Sequence, residues 1–141
     1  DGEEKAEADE AIARLKEAFP DLTVNIGECA NANAFELALS LTRMGFKVGE
    51  IYATLAPENF VYVKNLALLS PDTKIYCNME PTMLYYKISQ SDADVTIGKD
   101  AKFYCPDIPN VAWNQDTRPF GYQGVRDLMN KVYDCLEEAK A

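Results

Sequence analysis

Charged, amide and glycine residues gather between Val111 and Gly124, in the segment VAWNQDTRPFGYQG. The pattern predicts the end of a strand, a polar loop and the start of a long helix. A helix start presents unpaired backbone N–H groups and the positive end of the helix dipole, which together attract a carboxylate or a phosphate. Arg118, Gln115 and Asp116 lie in the polar loop before that helix start. We therefore predict an anion-binding wall here, the alternative being that the glycines only form a turn.

The elements that must position this segment alternate between strands and helices. We expect strands over residues 22–26, 46–55, 73–77, 94–97 and 111–113, and helices over 3–19, 31–44, 57–69 and 81–88. A short helix or turn is expected at 100–104, and a final helix that starts among the glycines of VAWNQDTRPFGYQG. Gly45 is expected to cap the second helix, and Gly49 to mark an irregularity in the second strand. The alternation predicts an α/β fold, a doubly wound, mostly parallel sheet of four to five strands with helices on both faces.

Two of the predicted helices have one apolar face. The faces are Ala8, Ile12, Leu15 and Phe19 in the first helix and Leu128, Met129, Val132 and Leu136 in the last. We take residues 1–20 as a leading amphipathic helix and residues 21–141 as a single α/β domain. Because the chain begins Asp1-Gly2-Glu3 and not with Met, we expect it to be processed or, in preference, to be a piece of a longer protein.

Further candidates for the ligand site follow other predicted strands. In a doubly wound sheet, ligands bind beyond the carboxyl ends of the strands, so residues after each strand meet at one edge. The predicted ligand-binding set is Cys29, Asn31, Asn78, Lys99, Gln115, Asp116, Arg118, Gly121, Tyr122 and Gly124. Glu28 and Glu80 are further carboxylates near that edge, and no catalytic residue is assigned.

Composition excludes several classes of function. The net charge is −9 and no Lys/Arg-rich run is present, which argues against nucleic acid and against anionic membrane surfaces as partners. No apolar run reaches membrane-spanning length. The chain has no His, so His-based catalytic triads and His metal sites are excluded.

The four cysteines, at positions 29, 77, 105 and 135, are too far apart in sequence for a short metal-binding motif. Cys29 and Cys77 are expected at the ligand edge, Cys105 at the opposite edge and Cys135 within the last helix. We therefore predict no metal site and no cofactor within this chain. Scattered cysteines without disulfide spacing also favour a reducing, cytoplasmic setting.

The order of elements and three segments resemble the nitrogenase component 1 family, which includes nitrogenase α and β subunits, cofactor-assembly scaffolds and dark-operative protochlorophyllide reductase subunits. Ala93 to Lys99 (ADVTIGK) is similar to the family's strand-Gly-Lys/Glu segment, and Ile108-Pro109 to its entry into the last strand. Pro119 to Gly124 (PFGYQG) is similar to its Pro-aromatic-x-Gly-aromatic-x-Gly turn.

The resemblance implies an oxidoreductase subunit of several α/β domains, in which this chain is the C-terminal domain and forms one wall of an inter-domain cleft for a metallocluster or substrate. In that cleft Arg118 would add a bidentate contact to an acidic ligand, and Gln115 and Asp116 would orient it. The alternative is that Arg118 pairs with a nearby carboxylate and only fixes the loop. The resemblance further implies an iron–sulfur or related metallocluster in the full-length protein, a paired homologous subunit, and electrons from an ATP-dependent iron–sulfur reductase protein. It also implies that the excised domain exposes an apolar patch at the ligand edge. The candidates for that patch are Tyr85, Tyr86, Trp113 and Phe120.

One departure from the family separates this chain from nitrogenase itself. There, a His before the glycine turn ligates the molybdenum–iron cofactor, and here Phe120 occupies the closest position. The expected function is therefore a nitrogenase-like oxidoreductase domain that does not reduce dinitrogen. The alternatives are a non-catalytic assembly domain and a small-molecule-binding α/β domain that shares only the fold.

Overall fold

The structure is a computed structural model that describes residues 2–27, 33–54, 56–77, 93–111 and 122–140. In chain order the elements are α1 (Gly2–Ala18), β1 (Thr23–Gly27), α2 (Ala34–Arg43), β2 (Lys47–Ala53), a 3₁₀ turn (Pro57–Asn59), α3 (Phe60–Leu69), β3 (Lys74–Cys77), β4 (Val95–Ile97), α4 (Lys99–Tyr104), β5 (Asn110–Val111) and α5 (Tyr122–Lys140). The helix expected over 81–88 and the residues after Val111 in the fifth strand lie outside the described residues. No described helix is both long enough and apolar enough to cross a lipid bilayer.

All five strands belong to one parallel sheet, in the order β3-β2-β1-β4-β5. The order runs outward from β1 in one direction for β2 and β3 and in the other for β4 and β5. The direction of winding therefore reverses between β1 and β4, which is the switch point of a doubly wound fold. The predicted fold class is confirmed.

The two faces of the sheet are covered by different helices. Alternate strand residues such as Val24 and Ile26 of β1 are buried in the main core together with residues of α1, α2, α3 and α5. Helix α4 packs on the opposite face, where Ala101 and Tyr104 cluster with Tyr52 of β2. Helices thus lie on both faces, as predicted, and the residues between the core positions of β1 and β2 point toward α4.

Helix α2 begins and ends where its capping residues dictate. Asn33 Oδ1 accepts hydrogen bonds from the amides of Phe35 and Glu36, at 2.9 and 3.1 Å, so the helix begins at Ala34 and not at Asn31 as the pattern suggested. At the other end the amide of Phe46 donates to Leu41 O at 3.0 Å across Gly45, whose φ is +96°. This is a Schellman cap, and the role predicted for Gly45 is confirmed.

Helices α1 and α5 pack along each other. The four apolar positions predicted for the last helix are all buried, as are Ala8 and Leu15 of α1. At the rim of the contact, Arg14 lies 3.8 Å from the centre of the Tyr133 ring and Arg126 pairs with Glu7. These partly exposed charges add little to stability, so apolar burial holds the two helices together.

Strand β2 carries the irregularity that Gly49 predicted. Val48 pairs with Val24 and Ile51 pairs with Ile26, so two residues of β2 oppose the single residue Asn25 of β1. This is a β-bulge. A Cβ atom on Gly49 would lie 2.8 Å from Asn25 Oδ1, so the close approach of the two strands at this point requires glycine.

Candidate functional site

The edge of the sheet where the parallel strands end, called here the carboxyl edge, brings together the ends of β1, β4 and β5. Gly27 ends β1, Ile97 ends β4 and Val111 ends β5, and these strands are immediate neighbours in the sheet. Neighbouring strands lie about 4.8 Å apart, so the loops that follow β1, β4 and β5 begin next to one another at the switch point. This is where a doubly wound sheet binds its ligand.

The turn that follows β4 is fixed by β5. Gly98 adopts φ +96° and ψ 160°, a conformation that residues with a Cβ rarely adopt. The side-chain amide of Asn110 donates to Gly98 O at 3.0 Å and to Thr96 Oγ1 at 2.8 Å, while the Gly98 amide donates to Val111 O at 3.0 Å. These bonds set the direction in which the chain enters α4, and Lys99 is the first residue of that helix.

A pair of asparagines fixes the return from the loop after β1. Asn33, which caps α2, donates from Nδ2 to Oδ1 of Asn59 at 2.6 Å. Asn59 ends the 3₁₀ turn that follows β2 and is 8% exposed. The start of α2 and the segment after β2 are therefore tied to each other at the carboxyl edge.

The predicted ligand residues are only partly within the described residues. The backbone of Lys99 and Tyr122 is described at the first positions of α4 and α5, and Gly124 is buried in the first turn of α5. The other candidates lie outside the described residues, and their roles stay predictions; they are Cys29, Asn31, Asn78, Gln115, Asp116, Arg118 and Gly121. The same holds for Glu28, Glu80, Tyr85, Tyr86, Trp113 and Phe120.

The strand order nevertheless separates these candidates into two groups. Cys29 and Asn31 follow β1, Lys99 follows β4, and the segment with Arg118 follows β5, three adjacent strands. Asn78 follows β3, which is the edge strand and is separated from β1 by β2. The segments that carry the first group therefore begin side by side, whereas the segment that carries Asn78 begins about two strand spacings from the end of β1.

A buried polar cluster lies beneath this edge, on the α4 face of the sheet. Its members are Asn25 of β1, Glu50 and Tyr52 of β2, and Cys105 after α4, all 6% exposed or less. The Glu50 amide donates to Asn25 Oδ1 at 2.9 Å, and Asn25 Nδ2 donates to the Tyr52 hydroxyl at 3.3 Å. The Tyr52 hydroxyl in turn donates to Glu50 Oε1. Cys105 Sγ lies 3.4 Å from that hydroxyl and 3.8 Å from Asn25 Nδ2.

Burial controls the protonation of the central tyrosine. Removal from water, and then the hydrogen bonds to Cys105 and Glu50, raise the pKa of Tyr52 far above its usual range. Its ring also packs against Tyr104 and Tyr76, with centroids 5.0 and 5.8 Å away. The hydroxyl therefore remains a proton donor at every physiological pH. The cluster therefore links the bulge in β2 to β1 and to the end of α4.

Sequence reasoning missed this cluster, although two signals were present. Asn25 interrupts an otherwise apolar strand, and Glu50 directly follows the glycine of the bulge. Cys105 lies 80 positions away from Asn25 in sequence, and no local pattern indicates that the two residues meet.

The two cysteines whose side chains are described do not meet. Cys105 is buried in the polar cluster, and Cys135 is half-buried on α5, where its Sγ donates to Asn110 O at 3.8 Å. Burial, and then the negative charge of Glu138, raise the pKa of the Cys135 thiol. Within the described part of the chain, no group of three or more His, Cys, Asp or Glu residues is arranged to hold a metal ion.

Comparison with known proteins identifies the fold. No protein-family model and no curated protein matches the chain. A solved structure described as "Nitrogenase Cp1 at pH 6.5" matches with a TM-score of 0.75 at 14% sequence identity. The match covers 98% of this chain and 33% of that one, so the chain spans about a third of the nitrogenase chain. The α/β fold found here is therefore the fold of one part of nitrogenase Cp1.

Proposed function

We propose that this chain is a domain of a nitrogenase-like oxidoreductase subunit. The observation that carries the proposal is the TM-score of 0.75 to nitrogenase Cp1 over 98% of the chain. The segments ADVTIGK and PFGYQG, which resemble the nitrogenase component 1 family, support it independently. Of these, ADVTIGK contains β4, at the switch point, and the first residue of α4.

In this proposal the carboxyl edge forms one wall of a cleft between domains. The ends of β1, β4 and β5 are adjacent, and their loops carry the candidate groups Cys29, Lys99 and Arg118. The bonds from Asn110 to Gly98 fix the point from which Lys99 starts. An amide-rich, partly cationic edge of this kind would bind the acidic part of a ligand or of a cluster's organic component.

The described residues do not fit a metallocluster held by this chain alone. Cys105 is occupied by hydrogen bonds within a buried network, and Cys135 lies on α5 away from it. The chain has no His to add to them. The proposal therefore assigns the iron–sulfur or related metallocluster to other parts of a longer protein, and no chemical step is routed through it here.

The proposed partners follow from the same comparison. A domain equivalent to a third of a nitrogenase chain is proposed to work with other domains of its own subunit, with a paired homologous subunit, and with an ATP-dependent iron–sulfur reductase as electron donor. Because no His is available to ligate a molybdenum–iron cofactor, the proposed activity is reduction of a substrate other than dinitrogen.

Anaerobic purification of the full-length protein tests the proposal. Iron and acid-labile sulfide in stoichiometric amounts, together with a visible spectrum that bleaches on reduction, are expected. A full-length protein without iron would refute the oxidoreductase role and favour a non-catalytic assembly or small-molecule-binding domain.

The cleft role has a test of its own in the same protein. Arg118→Ala is expected to weaken binding of an acidic ligand by about tenfold to a hundredfold, because a charge-assisted hydrogen bond is worth roughly 1.5–3 kcal/mol. Arg43→Ala is the matched control, since Arg43 ends α2 and so lies at the opposite edge of the sheet. Equal effects of the two changes would show that only net charge matters.

A further inference from the structure

A cleft opens at the edge of the sheet where the parallel strands begin, which we call the amino edge. It has a volume of about 410 Å³ and lies between the ends of α1 and α5 and the starts of β1 and β4. Sites for small molecules have volumes of roughly 300–1,000 Å³, so the cleft is large enough for a small ligand. It lies at the edge opposite the carboxyl edge, so what it binds is independent of the proposed oxidoreductase role.

The walls of the amino-edge cleft are largely apolar. Leu22 and Leu136, which are 5% and 6% exposed, belong to the main core, and Phe19 is half-buried against it. The Phe19 ring packs edge-on against the Tyr133 ring, with centroids 6.0 Å apart, which restrains it. Ala139, in the last turn of α5, is exposed and carries only a methyl group, so it leaves the cleft open. An apolar group of about one ring therefore fits against these walls.

Two carboxylates share the cleft with these apolar groups. Asp21 and Asp94 both line it, and both are exposed to solvent. The Asp94 carboxylate is held in place at the start of β4, because its Oδ2 accepts a hydrogen bond from the Thr23 amide at 2.9 Å while the Asp94 amide donates to Thr23 O at 2.9 Å. Neither carboxylate forms an ion pair with a described basic side chain. Their negative charge is therefore available to a ligand.

The ends of two helices add to this negative potential. Helices α1 and α5 run side by side toward the amino edge and both end at the cleft, where their dipoles place partial negative charge. Pro20 has no N–H group, so the carbonyl of Lys16 in the last turn of α1 lacks the amide partner that normally follows four residues later. Among the described residues that line the cleft none is basic, since Lys16 and Lys47 line a separate, adjoining cleft. The amino-edge cleft therefore favours a cation.

We propose that the amino-edge cleft binds a small organic cation, namely a primary ammonium group on an apolar body of about one ring. The ammonium group donates to the carboxylates of Asp21 and Asp94, and the apolar body packs against Phe19 and Leu136. A carboxylate or phosphate would meet two carboxylates and two negative helix ends, so the same cleft excludes anions. This selectivity is the reverse of that proposed for the carboxyl edge, where an acidic group is bound.

Titration of the isotope-labelled 141-residue chain with phenethylamine, followed by NMR, tests the proposal. Saturable shifts are expected at the amides of Leu22, Asp94 and Ala139, with a dissociation constant of about 1 mM, the strength typical of so small a molecule in an open cleft. Hydrocinnamate presents the same ring with the opposite charge and should bind at least about tenfold more weakly. Raising the salt concentration should weaken the binding of phenethylamine, because salt screens the exposed carboxylates.

Removing one charge from the cleft should weaken the binding of phenethylamine. Asp94→Asn should raise its dissociation constant by about fivefold, as expected for an exposed charge pair, and the new side chain keeps an oxygen that accepts the Thr23 amide. Asp21→Asn should have a similar effect without touching that hydrogen bond. Glu58→Gln is the matched control, because it removes the same charge from an exposed residue at the carboxyl edge and should change the constant by less than about twofold.

Filling the cleft should abolish binding without changing the charge. Ala139→Phe places a ring in the cleft, whereas Ala13→Phe, the matched control, adds the same ring at an exposed position of α1 outside it. Neither change should lower the unfolding midpoint, since both alanines are exposed. The proposal would be overturned by the absence of saturable shifts up to about 20 mM phenethylamine, or by equal binding of hydrocinnamate. It would also be overturned if both aspartate variants bound as tightly as Glu58→Gln, or if Ala139→Phe bound as tightly as Ala13→Phe.

Discussion

Removing one oxygen atom, in Tyr52→Phe, tests the role of the buried polar cluster. The hydroxyl of Tyr52 donates to Glu50 Oε1, accepts from Asn25 Nδ2 at 3.3 Å and lies 3.4 Å from Cys105 Sγ. The phenyl ring that replaces it can keep the contacts with the rings of Tyr104 and Tyr76. The change therefore removes the hydrogen bonds and leaves most of the packing.

The expected loss of stability follows from these partners. A buried polar group left without its hydrogen-bond partner costs about 1–3 kcal/mol. The change removes the hydroxyl from Glu50 Oε1 and Asn25 Nδ2, whereas the bond between the Glu50 amide and Asn25 Oδ1 remains. We expect Tyr52→Phe to lower the free energy of unfolding by about 2 kcal/mol at neutral pH.

The pH dependence gives this prediction a second, independent readout. The pKa of Tyr52 is raised in the folded protein, so above about pH 10 the unfolded chain loses a proton that the folded chain keeps. By linkage, the contribution of Tyr52 is constant below that pH and falls above it, by up to about 1.4 kcal/mol per pH unit. The phenylalanine variant lacks this term, so the stability difference between the two proteins should shrink as the pH rises from 10 to 11.5.

Urea unfolding followed by circular dichroism, at pH 7 and at steps from pH 9 to 11.5, measures both effects. Tyr133→Phe is the control, since Tyr133 packs at the α1–α5 rim and its hydroxyl has no hydrogen-bond partner among the described residues. It should change stability by less than about 0.5 kcal/mol. A loss for Tyr52→Phe no larger than that of the control, or a stability difference that does not change with pH, would refute the account of the cluster.

Three further changes test the connections at the carboxyl edge and the state of a thiol. Gly98→Ala should lower stability by about 1–3 kcal/mol, because φ +96° and ψ 160° form a region that is essentially restricted to glycine. Gly2→Ala at the exposed start of α1 should be neutral, and equal unfolding midpoints of the two variants would contradict this. Asn33→Ala should cost about 1–2 kcal/mol, because it removes the cap of α2 and the bond to Asn59, and a smaller loss by thermal unfolding would show that the cap is replaceable. The raised pKa of Cys135 predicts slow alkylation by iodoacetamide at pH 8, and mass spectrometry showing a rate equal to that of free cysteine would disprove it.

The fold could be predicted because its signals are local and repeated. Apolar residues at a spacing of three and four placed the buried face of α5, and the glycine at position 45 ended α2 where a Schellman cap requires positive φ. Alternation of strands with helices then limits the topology to a doubly wound parallel sheet. The start of α2 differed by three residues, because the side chain of Asn33, and not the apolar pattern, sets it.

The interior of the site could not be predicted, because it depends on contacts between distant residues. Asn25 and Cys105 are 80 positions apart in sequence, yet their side chains meet. The side chain of Asn110, in β5, donates a hydrogen bond to Gly98 O, in the turn after β4. The exposure of Phe60, Val61, Leu68 and Leu69 on α3 is likewise a property of the tertiary structure, since the apolar sequence of that helix does not indicate which side is left uncovered.

Three sets of hydrogen bonds lie around the switch point and fix the residues from which the loops start. The cluster of Asn25, Glu50, Tyr52 and Cys105 joins β1, β2 and α4; Asn110 joins β5 to the turn after β4; and Asn33 with Asn59 joins α2 to the turn after β2. Each connection is made by residues of strands, helices and turns that lie outside the loops after β1 and β5, so it fixes where a loop starts without depending on what the loop contains. Function in such folds is set by loops on a rigid scaffold. A fold shared at 14% identity is therefore compatible with a different substrate, and substitutions after β1, β4 and β5 should change ligand binding while those in the cluster change stability.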